Sequence, residues 1–270
     1  MVRRVQRLDV ELIRRGLARS REQAVELISG GRVQVRGVVV SKPASGVGVD
    51  TPLRVIPDSD DPGYASRGGH KLAGALAAFT DIRVDGRRCL DAGASTGGFT
   101  DVLLRAGAAE VVAVDVGYGQ LAWAVRSDER VRVVDRTNVR SLTPDQIGGR
   151  AEVTVADLSF ISLGLVLPAL TACTEPDGEL LPMVKPQFEV GRERLGSGGV
   201  VRDSRLRAEA VLAVANVAAG LGWYAAGVIR SPLPGPSGNV EFFLWLRRTG
   251  RAMIDDRQIA EIVMSAEESR

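Results

Sequence analysis

Asp91-Ala-Gly-Ala-Ser-Thr-Gly-Gly-Phe-Thr100 is the stretch that decides the fold. Before it, Arg88-Cys-Leu90 reads as a short buried strand. After it, Phe99, Val102 and Leu103 have helical spacing, so the glycines fall at a strand-to-helix turn. Glycine at such a turn lets a ligand approach the backbone closely. The spacing Gly93, Gly97, Gly98 is not the G-x-G-x-x-G of pyrophosphate-binding folds, and an acid stands two residues before the first glycine. That combination suits S-adenosyl-L-methionine better than a dinucleotide. A second strand, Glu110 to Asp115, ends in an acid placed to take ribose hydroxyls. The candidate cofactor residues are Asp91, Gly93, Ser95, Thr96, Gly97, Gly98, Phe99, Asp115 and, at a later strand end, Asp157.

Outward from this turn, the chain has the composition of a soluble globular protein, with 45% hydrophobic and 25% charged residues among 270. Two cysteines, Cys89 and Cys173, argue against a disulfide scaffold and for a reducing cytoplasm. Residues 1–7 lack the apolar core of a secretory signal, and no metal-ligand pattern is present. Ala210 to Ile229 runs 20 residues without a charge, long enough for a membrane span. Asp203-Ser204 starts a helix there, Gly220-Leu-Gly222 stops it, and Trp223 onward reads as a strand. The segment is therefore expected to be a helix and strand of a core, with no membrane association.

The net charge of +2 conceals a division. Residues 1–56 hold 11 Lys+Arg against 5 Asp+Glu, and the rest hold 24 against 28. A basic front module before a mildly acidic body suggests a nucleic-acid handle on an enzyme, because phosphate neutralisation dominates such affinity. Within the front module, Leu8 to Arg15 reads as a helix ended by Gly16. Ser20 caps a second helix, Arg21 to Ile28, ended by Gly30-Gly31. Arg32–Val35 and Val38–Val40 then form a hairpin about Arg36-Gly37. The phrase Arg7-Leu-Asp-x-x-Leu12, Gly16-Leu-Ala-x-Ser20-Arg21, Gly31-x-Val33-x-Val35-x-Gly37 resembles the S4 RNA-binding domain. That resemblance makes Arg3, Arg4, Arg7, Arg14, Arg19, Arg21 and Lys42 candidate RNA contacts.

Pro57 to Gly63 is polar and rich in breakers, so the expected organisation is an S4-like domain over 1–57, a linker over 58–66 and a larger domain over 67–270. The larger part has strand patterns at Arg88–Leu90, Glu110–Asp115, Val131–Asp135, Val153–Asp157, Glu179–Lys185, Tyr224–Ile229 and Glu241–Leu246, most of them separated by helical segments. The fold class is α/β, a mainly parallel doubly wound sheet preceded by a small α+β domain. Ser231 to Gly238 carries no helical pattern, so the last two strands are expected to be antiparallel. Asp157 and Lys185 then sit at carboxyl ends of strands, Glu241 starts a strand at the same edge, and Lys71 can reach that edge from the preceding helix. Converging ionisable groups favour a functional site.

Ser66-Arg-Gly-Gly-His-Lys71, the Asp91–Thr100 loop, Ala156-Asp-Leu-Ser-Phe-Ile-Ser162, Val184-Lys-Pro-Gln-Phe-Glu189 and Gly235-Pro-Ser-Gly-Asn-Val-Glu241 closely resemble the TlyA (haemolysin A) family across nearly the whole chain. The resemblance implies a Rossmann-like class I methyltransferase domain, similar to FtsJ-type ribose methyltransferases, behind an S4 domain. It further implies S-adenosylmethionine-dependent methylation of cytidine 2′-hydroxyls in ribosomal RNA, with the family's Lys-Asp-Lys-Glu tetrad on Lys71, Asp157, Lys185 and Glu241. Lys185 is the candidate general base and accepts a proton only as the neutral amine. The family's dual-target form resembles this chain in its extended basic N-terminus and helical tail, here about Asp255 to Glu268, so the resemblance implies action on both 16S and 23S RNA, with 30S and 50S subunits as partners and no obligate protein partner.

Other residues carry smaller expectations. Arg67, Arg136 and Arg140 are candidate RNA-phosphate contacts. Phe160 either stacks on a flipped nucleotide or joins the core. Tyr118 and Trp123 are expected to pack inside, and His70 to serve helix structure or a minor RNA contact. Pro186 to Asp203 reads as a mobile lid or a disordered loop. Rival functions are a silent RNA-binding assembly factor, a base methyltransferase and a membrane-lysing protein. The tetrad opposes the first, and the absence of an Asn/Asp-Pro-Pro-aromatic motif opposes the second. The third lacks a membrane-active segment.

Overall fold

The computed structural model describes residues 5–18, 21–56, 62–235, 237–248 and 253–265. The chain divides into two compact units, 1–62 and 63–270. The division falls inside the expected linker, but the last part of that stretch belongs to the second unit. The amide of Ala65 donates to Asp101 at 2.8 Å, and the Tyr64 ring meets the rings and charges of His70 and Arg105.

The first unit runs β1 (Val5–Arg7), α1 (Leu8–Arg14), α2 (Arg21–Ser29), β2 (Val33–Val35), β3 (Val38–Val39), β4 (Gly46–Gly48) and β5 (Leu53–Val55). Its core is Leu8, Leu12, Ala24, Ile28, Val33 and Val47. The expected hairpin closes with Val35 opposite Val38. Its two turn residues, Arg36 and Gly37, both have positive φ (55° and 82°), the geometry a two-residue hairpin requires. Ser20, expected as a helix cap, lies outside the described residues.

The second unit comprises α3 (Gly68–Ala78), β6 (Arg88–Ala92), α4 (Gly98–Arg105), β7 (Glu110–Val114), α5 (Trp123–Arg126), β8 (Val131–Val134), α6 (Pro144–Ile147), β9 (Ala151–Ala156), α7 (Leu163–Ala172), β10 (Thr174–Val184), α8 (Pro186–Glu189), α9 (Ser204–Gly220), β11 (Tyr224–Arg230), β12 (Phe242–Arg247) and α10 (Asp256–Ser265). The sheet order is β11-β12-β10-β9-β6-β7-β8. Within it, β12 runs antiparallel to both β10 and β11. The strand order reverses between β6 and β9, which opens a crevice at their carboxyl ends.

Alternation along the strands sends side chains to two cores. Leu90, Val112 and Val114 belong to the core shared with α7, α9 and α10, whereas Cys89, Val111 and Ala113 belong to the core shared with α3, α4 and α5. The uncharged run at 210–229 is α9 followed by β11, as its sequence signals indicate, and Asp203 caps α9 by accepting from the Arg205 amide at 2.8 Å. No helix among the described residues is long and apolar enough to cross a membrane. Both cysteines are free and buried.

Two expectations are corrected at this level. Asp91 is part of strand β6 and not of the loop, because it pairs with Ala113 on one side and Val155 on the other. Pro186–Asp203 is pinned and not disordered. Val190 and Val201 pack against Ala210, the Val201 amide donates to Asn239 Oδ1 at 2.9 Å, and the Arg207 guanidinium donates to the Val201 carbonyl. At the other end, Glu189 accepts from the Ser162 hydroxyl at 2.6 Å and the Leu163 amide at 2.8 Å. Burial is the main cause raising the Glu189 carboxyl above its ordinary range.

Candidate active site

The loop between β6 and α4 is shaped by backbone geometry. Gly93 (φ 89°) lies so close to Asp157 that a Cβ would stand 2.5 Å from its carbonyl oxygen, and Gly97 (φ 92°) begins α4 in the left-handed region. The Gly93 and Ala94 amides donate to the Val114 carbonyl, and the Asp157 amide donates to the Ala92 carbonyl. These bonds join the ends of β6, β7 and β9. At the end of β7, Asp115 accepts from the Ser95 amide at 2.8 Å through one oxygen and from the Gly117 amide at 2.7 Å through the other. Each carboxylate oxygen keeps capacity for another donor.

Of the candidate cofactor residues, Ser95 and Thr96 are exposed at the loop's crest, while Gly97 and Gly98 are buried at the start of α4. Two side chains lie beneath the loop. Phe99 packs against Phe243 with ring centroids 5.9 Å apart. Asp91 is fully buried, with one oxygen accepting from the Thr100 hydroxyl at 2.7 Å and the other, Oδ1, without a partner. Burial is the main cause pushing its carboxyl up to about 7.

The four distant ionisable residues meet as two ion pairs at one edge of the sheet. Lys71, in the second turn of α3, places Nζ 2.5 Å from Glu241 Oε2, immediately before β12. Their side chains are 8% and 0% exposed. Lys185, immediately after β10, places Nζ 2.6 Å from Asp157 Oδ1, immediately after β9, and donates to Ser159 Oγ at 2.9 Å. Sequence reasoning missed Ser159, although it stands two residues beyond Asp157 in the motif already singled out. It also missed Gln187, whose amide nitrogen lies 3.5 Å from Glu241 Oε1. Next to the tetrad, Phe160, Gln187 and Phe188 help line a groove of about 290 Å³. Phe160 is 91% exposed with φ 64°, and its ring centroid lies 5.2 Å from that of Phe188. The core alternative for Phe160 therefore fails.

Tyr118 and Trp123 were expected inside but are 67% and 79% exposed. Tyr118 is covered by the Arg136 guanidinium at 4.3 Å, a cation–π contact in place of core packing. Arg136, Arg140 and Arg67 are all exposed, and Arg67 also donates to the Pro234 carbonyl at 3.3 Å. His70 sits edge-on to Tyr64 in the first turn of α3, a structural contact.

In the first unit, Arg7 and Arg21 bond to Asp9, and Arg14 bonds to Glu11. Both acids are buried, and the Arg14 guanidinium is the main cause holding Glu11 at about 2. These arginines are about half exposed or more, so each has a structural partner and an open face. Arg15, not selected from sequence, ties Glu11 to the carbonyls of Gly48, Val49 and Thr51. Lys42 is exposed. Arg3, Arg4 and Arg19 lie outside the described residues.

A glycine loop at the switch point of a doubly wound sheet, with the tetrad beside it, defines a Rossmann-like class I methyltransferase domain. A model described as FtsJ-like methyltransferase matches residues 64–248, and a model described as S4 domain matches residues 6–51. A relative from Mycobacterium tuberculosis, the 16S/23S rRNA (cytidine-2′-O)-methyltransferase TlyA, is 62% identical over 94% of each chain. A Bacillus subtilis protein, YqxC, described as a candidate rRNA methyltransferase, is 41% identical over 98% of this chain and 95% of its own. A solved structure from Streptococcus thermophilus, described as a candidate hemolysin, is 39% identical with a TM-score of 0.78, covering 99% of this chain and 97% of that one. The chain belongs to the TlyA family of FtsJ-like methyltransferases with an N-terminal S4 domain.

Proposed function

We propose that this protein transfers a methyl group from S-adenosylmethionine to the 2′-hydroxyl of cytidine in ribosomal RNA, in both 16S and 23S molecules. The observation that carries the reading is the meeting of Lys71, Glu241, Lys185 and Asp157 in two ion pairs beside the glycine loop. The 62% identity to a relative named for both RNAs supports the dual target. The S4 unit, with its basic arginines, is the part assigned to structured RNA, and 30S and 50S subunits in the cytoplasm are the assigned substrates.

The residues present fit the donor. Asp115 has spare acceptor capacity for ribose hydroxyls. The unpartnered Asp91 Oδ1 beneath the loop belongs to a carboxyl that burial pushes up to about 7, and a cationic ligand nearby would favour its ionised form. Gly93, Ser95, Thr96, Gly97 and Gly98 offer backbone for close approach. When bound, the donor supplies a sulfonium methyl group to an attacking oxygen.

The chain's own groups do the rest. A ribose hydroxyl is a poor nucleophile until it is aligned and relieved of its proton. Lys185 Nζ accepts that proton once it has released its own to solvent, and Asp157 at 2.6 Å, which favours the charged form, stabilises the resulting ammonium. Ser159 fixes the same nitrogen from a second direction. Lys71 and Glu241 form a sealed pair that positions the ribose edge of the site. Phe160, exposed beside the tetrad, is the surface for a flipped nucleotide, and Arg67, Arg136 and Arg140 are the RNA-phosphate contacts of this unit. The test is to incubate unmodified 30S and 50S subunits with labelled donor and map ribose methylation by reverse-transcription stops. Label at cytidine in both subunits is expected, and no label in either would sink the reading. Lys185→Ala should abolish single-turnover transfer while leaving donor binding intact.

A further inference from the structure

Gln187 stands two residues beyond Lys185, in α8, and lines the groove that also holds Phe160 and Phe188. Its amide nitrogen faces Glu241 Oε1 at 3.5 Å, while the other oxygen of Glu241 is paired with Lys71. A carboxylate can only accept, so this contact dictates which end of the carboxamide faces Glu241: the NH₂ group points there and the carbonyl oxygen points away. That oxygen, Oε1, is buried and has no partner. Among the described residues only one other buried side-chain atom, Asp91 Oδ1, shares that condition. A buried acceptor without a donor is unfavourable and calls for an explanation.

We propose that Gln187 selects the target base, its carbonyl oxygen accepting a hydrogen bond from the exocyclic amine of cytosine. The proposal rests on the 2′-O-methyltransfer reading above. Cytosine presents an amine where uracil presents a carbonyl. A carboxamide free to rotate would serve either, but one held by Glu241 presents only an acceptor, so uracil meets two opposed lone pairs. Phe160 and Phe188, with ring centroids 5.2 Å apart at the groove, provide flat surface for a single base. Oε1 is buried in this structure, so the proposal requires the groove that Gln187 lines to open as the base enters.

The test uses the full-length protein and ribosomal subunits carrying cytidine or uridine at the mapped methylation position. Wild type should prefer cytidine in kcat/KM by roughly 100-fold, since a site built around one hydrogen bond discriminates strongly against a substrate that cannot make it. Gln187→Met, of similar shape but without the acceptor, should bring the two substrates within about 3-fold, through loss on cytidine. If Gln187→Met lowers both substrates equally, or leaves the preference intact, the proposal is overturned. Should that variant fail to fold, the wild-type protein is given RNA with 2-pyrimidinone riboside at the target, which lacks only the amine. A loss as large as that on uridine supports the proposal, and full activity overturns it. If wild type methylates no cytidine at all, the underlying reading falls and this proposal falls with it.

Discussion

Breaking the Lys71–Glu241 pair separates what holds the site together from what the site does. The ammonium and carboxylate lie 2.5 Å apart with side chains 8% and 0% exposed, so neither has water to replace its partner. In Lys71→Met the Glu241 carboxylate keeps only the 3.5 Å contact from Gln187. Removing one member of a buried pair costs about 3–5 kcal/mol, because the other is left as an uncompensated charge. For a unit of about 200 residues, each kcal/mol shifts Tm by about 2–4 °C, so the melting temperature should fall by about 6–20 °C. Glu241→Leu should cost a similar amount through the stranded Lys71. The double variant Lys71→Met/Glu241→Leu removes both charges and should recover most or all of the loss, since apolar replacement of a buried pair is often neutral or stabilising. All three variants should lack single-turnover methyl transfer.

The assay is straightforward because Trp123, Trp223 and Trp245 all lie in the second unit, so denaturation followed by tryptophan fluorescence reports that unit without the first. A coupling of several kcal/mol in the double-mutant cycle is expected. If Lys71→Met lies within about 1 kcal/mol of wild type, the pair is not the buried, mutually dependent unit described here. If the double variant is no more stable than either single variant, the cost lies in lost packing and the electrostatic reasoning fails. If the double variant retains methyl transfer, the pair is only structural.

Other perturbations test separate features. Asp91 has a folded-state value near 7 against about 3.9 when unfolded, so between these values the native state holds a proton that the unfolded chain releases. Stability should therefore fall as pH rises from about 4 to about 7, by up to about 4 kcal/mol in total, and then level off. Asp91→Asn should flatten that dependence in urea titrations at pH 5 and pH 8, and an unchanged slope would count against the assignment. Phe160→Gly relieves a left-handed conformation that costs about 1–3 kcal/mol in a non-glycine residue. It should preserve or raise Tm while lowering rRNA methylation by about 10-fold or more through lost stacking; a Tm drop with activity retained would reverse the interpretation. The Cys89 and Cys173 thiols, pushed by burial up to about 12 and about 11, should resist a thiol reagent at pH 8 in the native protein and both react after unfolding.

Much of this was legible in the sequence for local reasons. The glycine loop, the alternation of strands and helices, and the helix-free segment after β11 each carry a backbone signature, so the antiparallel placement of Glu241 beside Lys185 follows from pattern alone. Features that depend on side-chain partners distant in sequence were not legible. Tyr118 looks like a core residue until Arg136, beyond the next strand, covers it from outside. Arg7, Arg14 and Arg21 read as a basic face, yet each is tied to a buried acid, and Arg15, which no motif marks, bridges α1 to three carbonyls of residues 48–51. The loop after Lys185 looked mobile because its glycines were visible, whereas the anchors that hold it, Glu189 to α7 and Asn239 to Val201, span 26 and 38 residues.

Those anchors tie the proposed roles in proton transfer and base selection to one short segment. Residues 185–189 contain, in order, the lysine paired with Asp157, a proline that starts α8, the carboxamide that lines the groove, an aromatic wall of the groove, and the carboxylate that fixes the segment to Ser162 and Leu163. Phe160 occupies the opposite end of the same construction, two residues before the Ser162 to which Glu189 is bound. Weakening the Glu189 anchor would therefore shift Lys185, Gln187 and both aromatic rings together, although Glu189 touches none of the four tetrad side chains. Misplacement of about an ångström can cost about 100-fold in rate. Glu189→Gln keeps an acceptor for one of the two bonds and should lower kcat modestly, whereas Glu189→Ala releases both and should lower it far more while donor binding stays unchanged. Equal effects of the two substitutions would show that the segment holds its position without this anchor.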